Sequence, residues 1–169
     1  MLNKPLCIGI GGVSRSGKTF LADLIQKEIP GSIVIHQDTY IPIETEIPKI
    51  KDHIDWERPE AIDWDRFRQA VELGLLSGKA VLVEGLFAFH DHSIIEFYNK
   101  SVFIEISRQA FIQRKQQDER WGKEPEWYVN HIWEGYIRYG QLPKVLHNTM
   151  IINGDADFNI TEIMNYLKS

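Results

Sequence analysis

The sequence predicts an α/β fold, an open parallel sheet with helices packed on both faces. Three observations predict it. Short apolar runs alternate with segments of helical spacing through most of the 169 residues. A glycine-rich turn joins the first apolar run directly to the first helical segment. Polar residues suited to chemistry cluster at the predicted carboxyl ends of the strands, where ligands sit in such sheets.

The elements follow in chain order. Residues 6–10 (LCIGI) read as a buried strand that runs into GGVSRSGKT. Residues 17–29 place Phe20, Leu21, Leu24, Ile25 and Ile29 at helical spacing, and Pro30-Gly31 ends that helix. SIVIHQ at 32–37 is a second strand, bounded by Asp38. Residues 39–59, with Pro42, Pro48 and Pro59, read as an irregular segment of functional length. A helix is expected from about 60 to 76, with Ile62, Phe67, Ala70 and Val71 on one face. AVLVEG at 80–85 is a near-continuous apolar strand, as a sheet covered on both faces requires. A short helix at 91–99, a strand at 101–106 and a helix at 107–120 come next. An aromatic-rich helix at 126–139, a short strand at 149–154 and a closing helix through Ile160, Ile163, Met164 and Leu167 complete the chain.

Composition bounds the function. The length suits one domain over residues 1–169. Hydrophobic residues at 43% and charged residues at 25% are ordinary globular values. The formal net charge is -5 and the basic residues are scattered, which argues against a nucleic-acid surface. Cys7 is the single cysteine, so no intramolecular disulfide forms, and a reducing, cytoplasmic compartment is expected. Its apolar neighbours mark it as a small buried hydrophobe. No run approaches the ~20 apolar residues that span a bilayer, so no membrane partner is expected. Monomer and homodimer both stay open.

The strongest motif is Gly12-Val13-Ser14-Arg15-Ser16-Gly17-Lys18-Thr19, a full G-x-x-x-x-G-K-[ST] between a strand and a helix. Glycines let the backbone turn tightly around phosphates, and the helix start offers N–H donors to the anion. Lys18 is expected to reach the β- and γ-phosphates of ATP, and the Thr19 hydroxyl to ligate Mg²⁺. Asp38 faces this loop if the second strand is parallel and adjacent to the first. There it would accept a proton from a substrate hydroxyl, or help hold Mg²⁺. The competing reading is a solvated turn aspartate. Glu84 ends an apolar strand, a weak signal for a metal-site acid against a plain strand-end charge. Asp55 and Glu57 flank Trp56, a pattern that grips a sugar diol and stacks a base, or else an ordinary loop anchored by its tryptophan. Arg114, Lys115 and Arg120 suit a lid that clamps a phosphoryl group. Arg114 and Arg120 are six apart, so a continuous helix would not put both on one face; the helix ends between them or one points away. Asp118 and Glu119 read as possible surface partners. The aromatic residues Trp127, Tyr128, Trp133, Tyr136 and Tyr139 read mainly as core, and His131 as either a ligand contact or a hydrogen-bonded structural histidine.

These residues together resemble the nicotinamide riboside kinases, within the uridine kinase-like branch of P-loop kinases. The phosphate motif, HQDTY at 36–40, DWERPEAID at 55–63, VLVEGLFAF at 81–89 and WYVNHIWEGYIRYGQ at 127–141 carry the likeness. It covers residues 6 to about 154. The resemblance implies a three-layer P-loop sandwich with a five-stranded parallel sheet and a small helical lid at about 114–126. It implies transfer of the ATP γ-phosphate to the 5′-hydroxyl of a small-molecule ribonucleoside, nicotinamide riboside first and uridine or cytidine second. By the same likeness Asp38 resembles the general base and Glu84 the second acid near the metal. Asp55 resembles the ribose-binding carboxylate, shared with Glu57, and Arg114 and Arg120 fall at the lid arginines. Tyr40, Trp56 and His131 complete the expected acceptor side, covered by residues 39–59. The sequence departs from the pattern in two places. Gln116 and Gln117 stand where more basic lid residues are usual, and Ile54 stands before Asp55 where an aromatic stacks, leaving Trp56 or Trp121 to substitute. A P-loop ATPase switch without a small-molecule acceptor is the alternative from another class. A nucleotide-binding module without catalysis is a further one, favoured if Asp38 points away from the crevice.

Overall fold

A computed structural model describes residues 5–120, 122–144 and 146–169. The order of elements is β1 (Cys7–Gly12), α1 (Lys18–Glu28), β2 (Ile33–His36), β3 (Lys49–Ile50), β4 (His53–Ile54), α2 (Trp64–Leu76), β5 (Val81–Gly85), α3 (His92–Ile95), β6 (Lys100–Glu105), α4 (Arg108–Gln116), α5 (Glu126–Tyr139), β7 (Thr149–Asn153) and α6 (Ile160–Lys168). The five long strands form one parallel sheet in the order β2-β5-β1-β6-β7. β1 lies at its centre, and its neighbours β5 and β6 come from much later in the chain.

Side chains alternate across the central strands, as the pleat requires. In β1 and β5, Cys7, Val81 and Val83 join one apolar cluster with Phe67 and Val71 of α2 and Ile94 of α3. Ile8, Ile10 and Leu82 join the other, with Leu21 and Ile25 of α1, Phe111 of α4, Ile132 of α5 and Ile163 of α6. The result is three layers. Burying a ring such as Phe67, Phe103 or Phe111 completely contributes about 1.5–3 kcal/mol each relative to exposure. Cys7 is buried in this core, as its sequence context suggests. No helix among the described residues is long and apolar enough to cross a membrane.

Four elements differ from the sequence reading. The short helix expected at 91–99 spans only His92–Ile95, with the Asp91 carboxylate capping its start by accepting from the Ser93 N–H. The segment at 39–59 is not wholly irregular: β3 and β4 pair as a small antiparallel hairpin. α2 starts at Trp64 and not near 60, because Pro59–Ala61 forms a 3₁₀ turn, Ile62 is extended, and the Asp63 carboxylate caps the helix by accepting from the Arg66 N–H. α4 stops at Gln116, short of 120. Beyond it the Asp118 carboxylate accepts from the Arg120 N–H at 3.3 Å, a local side-chain bond that competes with helix continuation.

Candidate active site

The phosphate loop joins β1 to α1. Gly17 precedes the helix at φ 102°, a left-handed conformation that a side chain would strain. α1 then begins with no side-chain cap and no acid in its first turn. By contrast α2, α4 and α6 are capped by Asp63, Ser107 and Asn159. The first N–H groups of α1 are therefore left for an anion. Val13 and Ser16 are buried, Gly12 closes β1, and Ser14 and Arg15 lie half-buried at the loop tip. The buried Ser16 Oγ has no hydrogen-bond partner among the described residues, a further polar group that suits a phosphate-binding loop.

Lys18 donates from Nζ to the Val13 carbonyl at 2.9 Å, so its ammonium lies along the loop. Burial lowers its pKa, against the opposing pull of Glu84, Asp38 and Glu57 in that order. Thr19 donates from Oγ1 to Glu84 Oε1 at 3.1 Å. Glu84 is not a strand-end charge facing solvent, since its side chain is only 5% exposed. The same oxygen lies 2.7 Å from His36 Nδ1 at the end of β2. Among the described residues no group of three or more His, Cys, Asp or Glu side chains could hold a metal. The Thr19 hydroxyl and the Glu84 carboxylate are oxygen donors of the type that Mg²⁺ takes.

Asp38 sits in the 3₁₀ turn Gln37–Thr39 after β2. β2 is parallel to β1 but not adjacent to it: β5 lies between them. The assumption that would bring Asp38 beside the loop is thus corrected, because β1 pairs with β5 and β6 instead. Asp38 nonetheless acts electrostatically on both Lys18 and Arg120. Its turn is fixed by Gln37, whose Oε1 accepts from the Phe87 N–H at 2.8 Å. Gly85 makes that approach possible, since a Cβ there would stand 2.3 Å from Gln37 Oε1. Tyr40 packs its ring on Phe67, with centroids 5.4 Å apart.

The acids expected on the acceptor side gather against α5. Asp55 and Glu57 are buried, whereas Trp56 between them is 41% exposed. His131 Nε2 lies 2.7 Å from Asp55 Oδ1, and the Glu57 N–H donates to the same oxygen at 3.2 Å. Burial pushes the Glu57 carboxyl up to about 8, with Lys115 opposing and Asp55 and Glu124 reinforcing. Its Oε2 has no partner among the described residues. Tyr128 donates to the Ile54 carbonyl at 3.3 Å, and His53 of the hairpin stacks on the Tyr128 ring. Tyr128 and Tyr136 are buried and Trp127, Trp133 and Tyr139 half-buried, as a mainly core role requires.

The two arginines expected at the lid have different surroundings. Arg114 donates to the Arg15 carbonyl at 3.1 Å and to the Gly154 carbonyl at 2.6 Å, which ties it to the phosphate loop backbone. Arg120 makes a two-pronged contact with Asp118, at 2.8 Å to each oxygen. Asp118 is no surface partner: its side chain is 5% exposed, and Arg15 approaches it at 3.7 Å. The Arg120 guanidinium holds its carboxyl well below the usual range. Lys115 pairs with Glu124 at 2.7 Å in a nearly buried bridge.

Lys18, Thr19, Glu84, Asp38, Asp55, Glu57, His131 and Arg120 thus line one region, linked by contacts or charge. Trp121, an expected stacking candidate, lies outside the described residues. His36, Gln37 and the Lys115–Glu124 pair escape the sequence reading. The pair His36-Gln37 just before Asp38 offers a signal for the first two, but their partners are 48 and 50 residues away.

Comparison with known proteins bears on the fold and on the class of relatives. No protein-family model matches the chain. A human protein named nicotinamide riboside kinase 1 is 26% identical over 155 residues, covering 82% of this chain and 78% of its own. A uridine kinase of Deinococcus deserti is 26% identical over 164 residues, covering 80% and 79%. The crystal structure of a sugar kinase from Janibacter superposes with a TM-score of 0.64 at 13% identity, covering 97% of this chain and 95% of that one. The chain has the fold of the P-loop kinases and is a homologue of the nicotinamide riboside and uridine kinases.

Proposed function

We propose that this chain is an ATP-dependent nucleoside kinase that transfers the γ-phosphoryl group to the 5′-hydroxyl of a ribonucleoside, with nicotinamide riboside as the preferred acceptor. One observation carries the reading. Lys18 of the phosphate loop lies within electrostatic reach of Glu84, Asp38 and Glu57, acids from three separate segments. A bare nucleotide switch has no need of the last two. Relatives named nicotinamide riboside kinase, 26–28% identical over about four-fifths of the chain, support the acceptor choice.

Residues 12–19 hold the ATP phosphates, with Lys18 as the point charge on the transferring group. Thr19 and Glu84 would hold Mg²⁺, which when bound would neutralise charge on the phosphate oxygens. Asp38 takes the proton of the acceptor 5′-hydroxyl as that oxygen bonds to the γ-phosphorus and the bond to the β-phosphate oxygen breaks. Asp55, oriented by His131, and Glu57 receive the ribose hydroxyls, and the exposed Trp56 borders the base, with Tyr40 as the second expected aromatic. Residues 39–59 cover the acceptor and residues 114–126 form the lid. Arg120 leaves Asp118 to meet the phosphoryl group, while Arg114 braces the loop backbone.

A pyrimidine acceptor is the second reading, favoured by the uridine kinase relative at the same 26% identity. An ATP-consumption assay with nicotinamide riboside, uridine and cytidine side by side decides between them. Fastest turnover of nicotinamide riboside supports the first, and fastest turnover of a pyrimidine nucleoside replaces it with the second. ATP hydrolysis indifferent to all three would overturn the kinase reading.

A further inference from the structure

We propose that His36 is a positioning residue that fixes Glu84, and through it the Mg²⁺ site of the kinase proposed above. The sheet itself makes the pair: in the parallel register of β2 and β5, His36 stands directly opposite Glu84. Nδ1 of His36 lies 2.7 Å from Glu84 Oε1. An ionised carboxylate only accepts, so Nδ1 carries the hydrogen.

Thr19 Oγ1 reaches that same oxygen from the opposite element, at 3.1 Å. Glu84 therefore receives two donors on Oε1, one from the phosphate loop helix and one from the far strand, and Oε2 is left outside this pair of bonds. A glutamate on a strand end has three side-chain torsions to settle, and a nearly buried carboxylate is costly without donors. The Thr19 hydroxyl has a single hydrogen to give and so supplies one donor. His36 supplies a donor that does not depend on the nucleotide. Partners of this kind orient metal-binding carboxylates and typically alter metal affinity about 10–100-fold when removed. The His36 side chain is 36% exposed while that of Glu84 is 5% exposed. The histidine thus spans from solvent to the buried acid, and its loss would leave a water-accessible gap rather than a collapsed core.

The test measures metal binding directly. Mn²⁺ affinity is read by electron paramagnetic resonance on the full chain with a non-hydrolysable ATP analogue and no acceptor. We expect His36→Ala to weaken Mn²⁺ binding about 10-fold while metal-free nucleotide affinity and melting temperature hold. His36→Asn, whose amide can donate in place of Nδ1, should recover most of the loss. Combining His36→Ala with Glu84→Gln should add little to Glu84→Gln alone. In turnover, His36→Ala should raise the Mg²⁺ concentration for half-maximal rate more than it lowers kcat. Unchanged Mn²⁺ affinity in His36→Ala, or additive losses in the double variant, overturns the proposal. Because no acceptor is present, failure of every nucleoside as a substrate would defeat the kinase reading without touching this result.

Discussion

The proposed donor and acceptor halves of the site are built in opposite ways. The donor half is local: Gly12 to Thr19 are consecutive, and the loop shape follows from β1, two glycines and an uncapped helix start. The acceptor half is assembled over distance. Asp55 and His131 meet across 76 residues, and the hairpin just before Asp55 rests its His53 on Tyr128 of α5. A local site is rigid by covalent connection, whereas a dispersed one depends on packing between elements. Damage to the first should abolish chemistry, and damage to the second should redistribute substrate preference.

The largest expected effects test the donor side and the base. Asp38→Asn should cut turnover by roughly 10²–10⁴-fold with the fold intact, as circular dichroism would report. Unchanged turnover would return Asp38 to a solvated turn residue. Lys18→Ala should cost about 10²–10³-fold in kcat, by loss of a preorganised charge on the transferring group. Near-normal kinetics would remove its phosphate role.

A smaller and more selective effect is expected on the acceptor side. Asp55→Ala leaves His131 without its partner and should raise the nucleoside KM by about 10-fold, with ATP affinity nearly constant. A loss confined to ATP binding would place Asp55 in the donor half and erase the contrast.

The two smallest effects concern stability. Gly85→Ala forces a Cβ toward Gln37 Oε1 and should cost about 1–3 kcal/mol, measured by chemical denaturation. A neutral result would mean that the Asp38 turn does not depend on this contact. Glu57 supplies a pH test. Its carboxyl is raised from 4.5 to about 8, so between those values the folded chain keeps a proton that the unfolded chain has lost. Stability contributed by this group is therefore present below that window and falls as pH rises through it, by up to about 1.4 kcal/mol per pH unit. Glu57→Gln should flatten that slope, and an unaltered slope would show that Glu57 titrates normally.

Much of the fold could be read in advance. The five sheet strands are apolar runs of the right length, and their alternation with helical spacing specifies a parallel sheet. Two of the misplaced boundaries share one cause, which is side-chain bonding to nearby backbone. Asp63 sets the start of α2 and Asp118 the end of α4, effects that periodicity does not register. The hairpin at Lys49–Ile54 escapes for another reason: each strand is two residues long, too short for an alternating pattern.

The sequence alone determined the phosphate loop, because its chemistry lies in eight consecutive residues whose order is the structure. It also determined the cast of acids, which stand at strand ends and in an acidic segment. Only the tertiary structure decided their partners. Strand order put β5 between β1 and β2, and so gave Glu84 to both Thr19 and His36. Helix α5 gave Asp55 its histidine, and the end of α4 separated Arg114 on the loop carbonyls from Arg120 on Asp118. The physical reason is common to all three. Hydrogen bonds and ion pairs act over a few ångströms, and a linear sequence does not record which distant segments packing will bring that close.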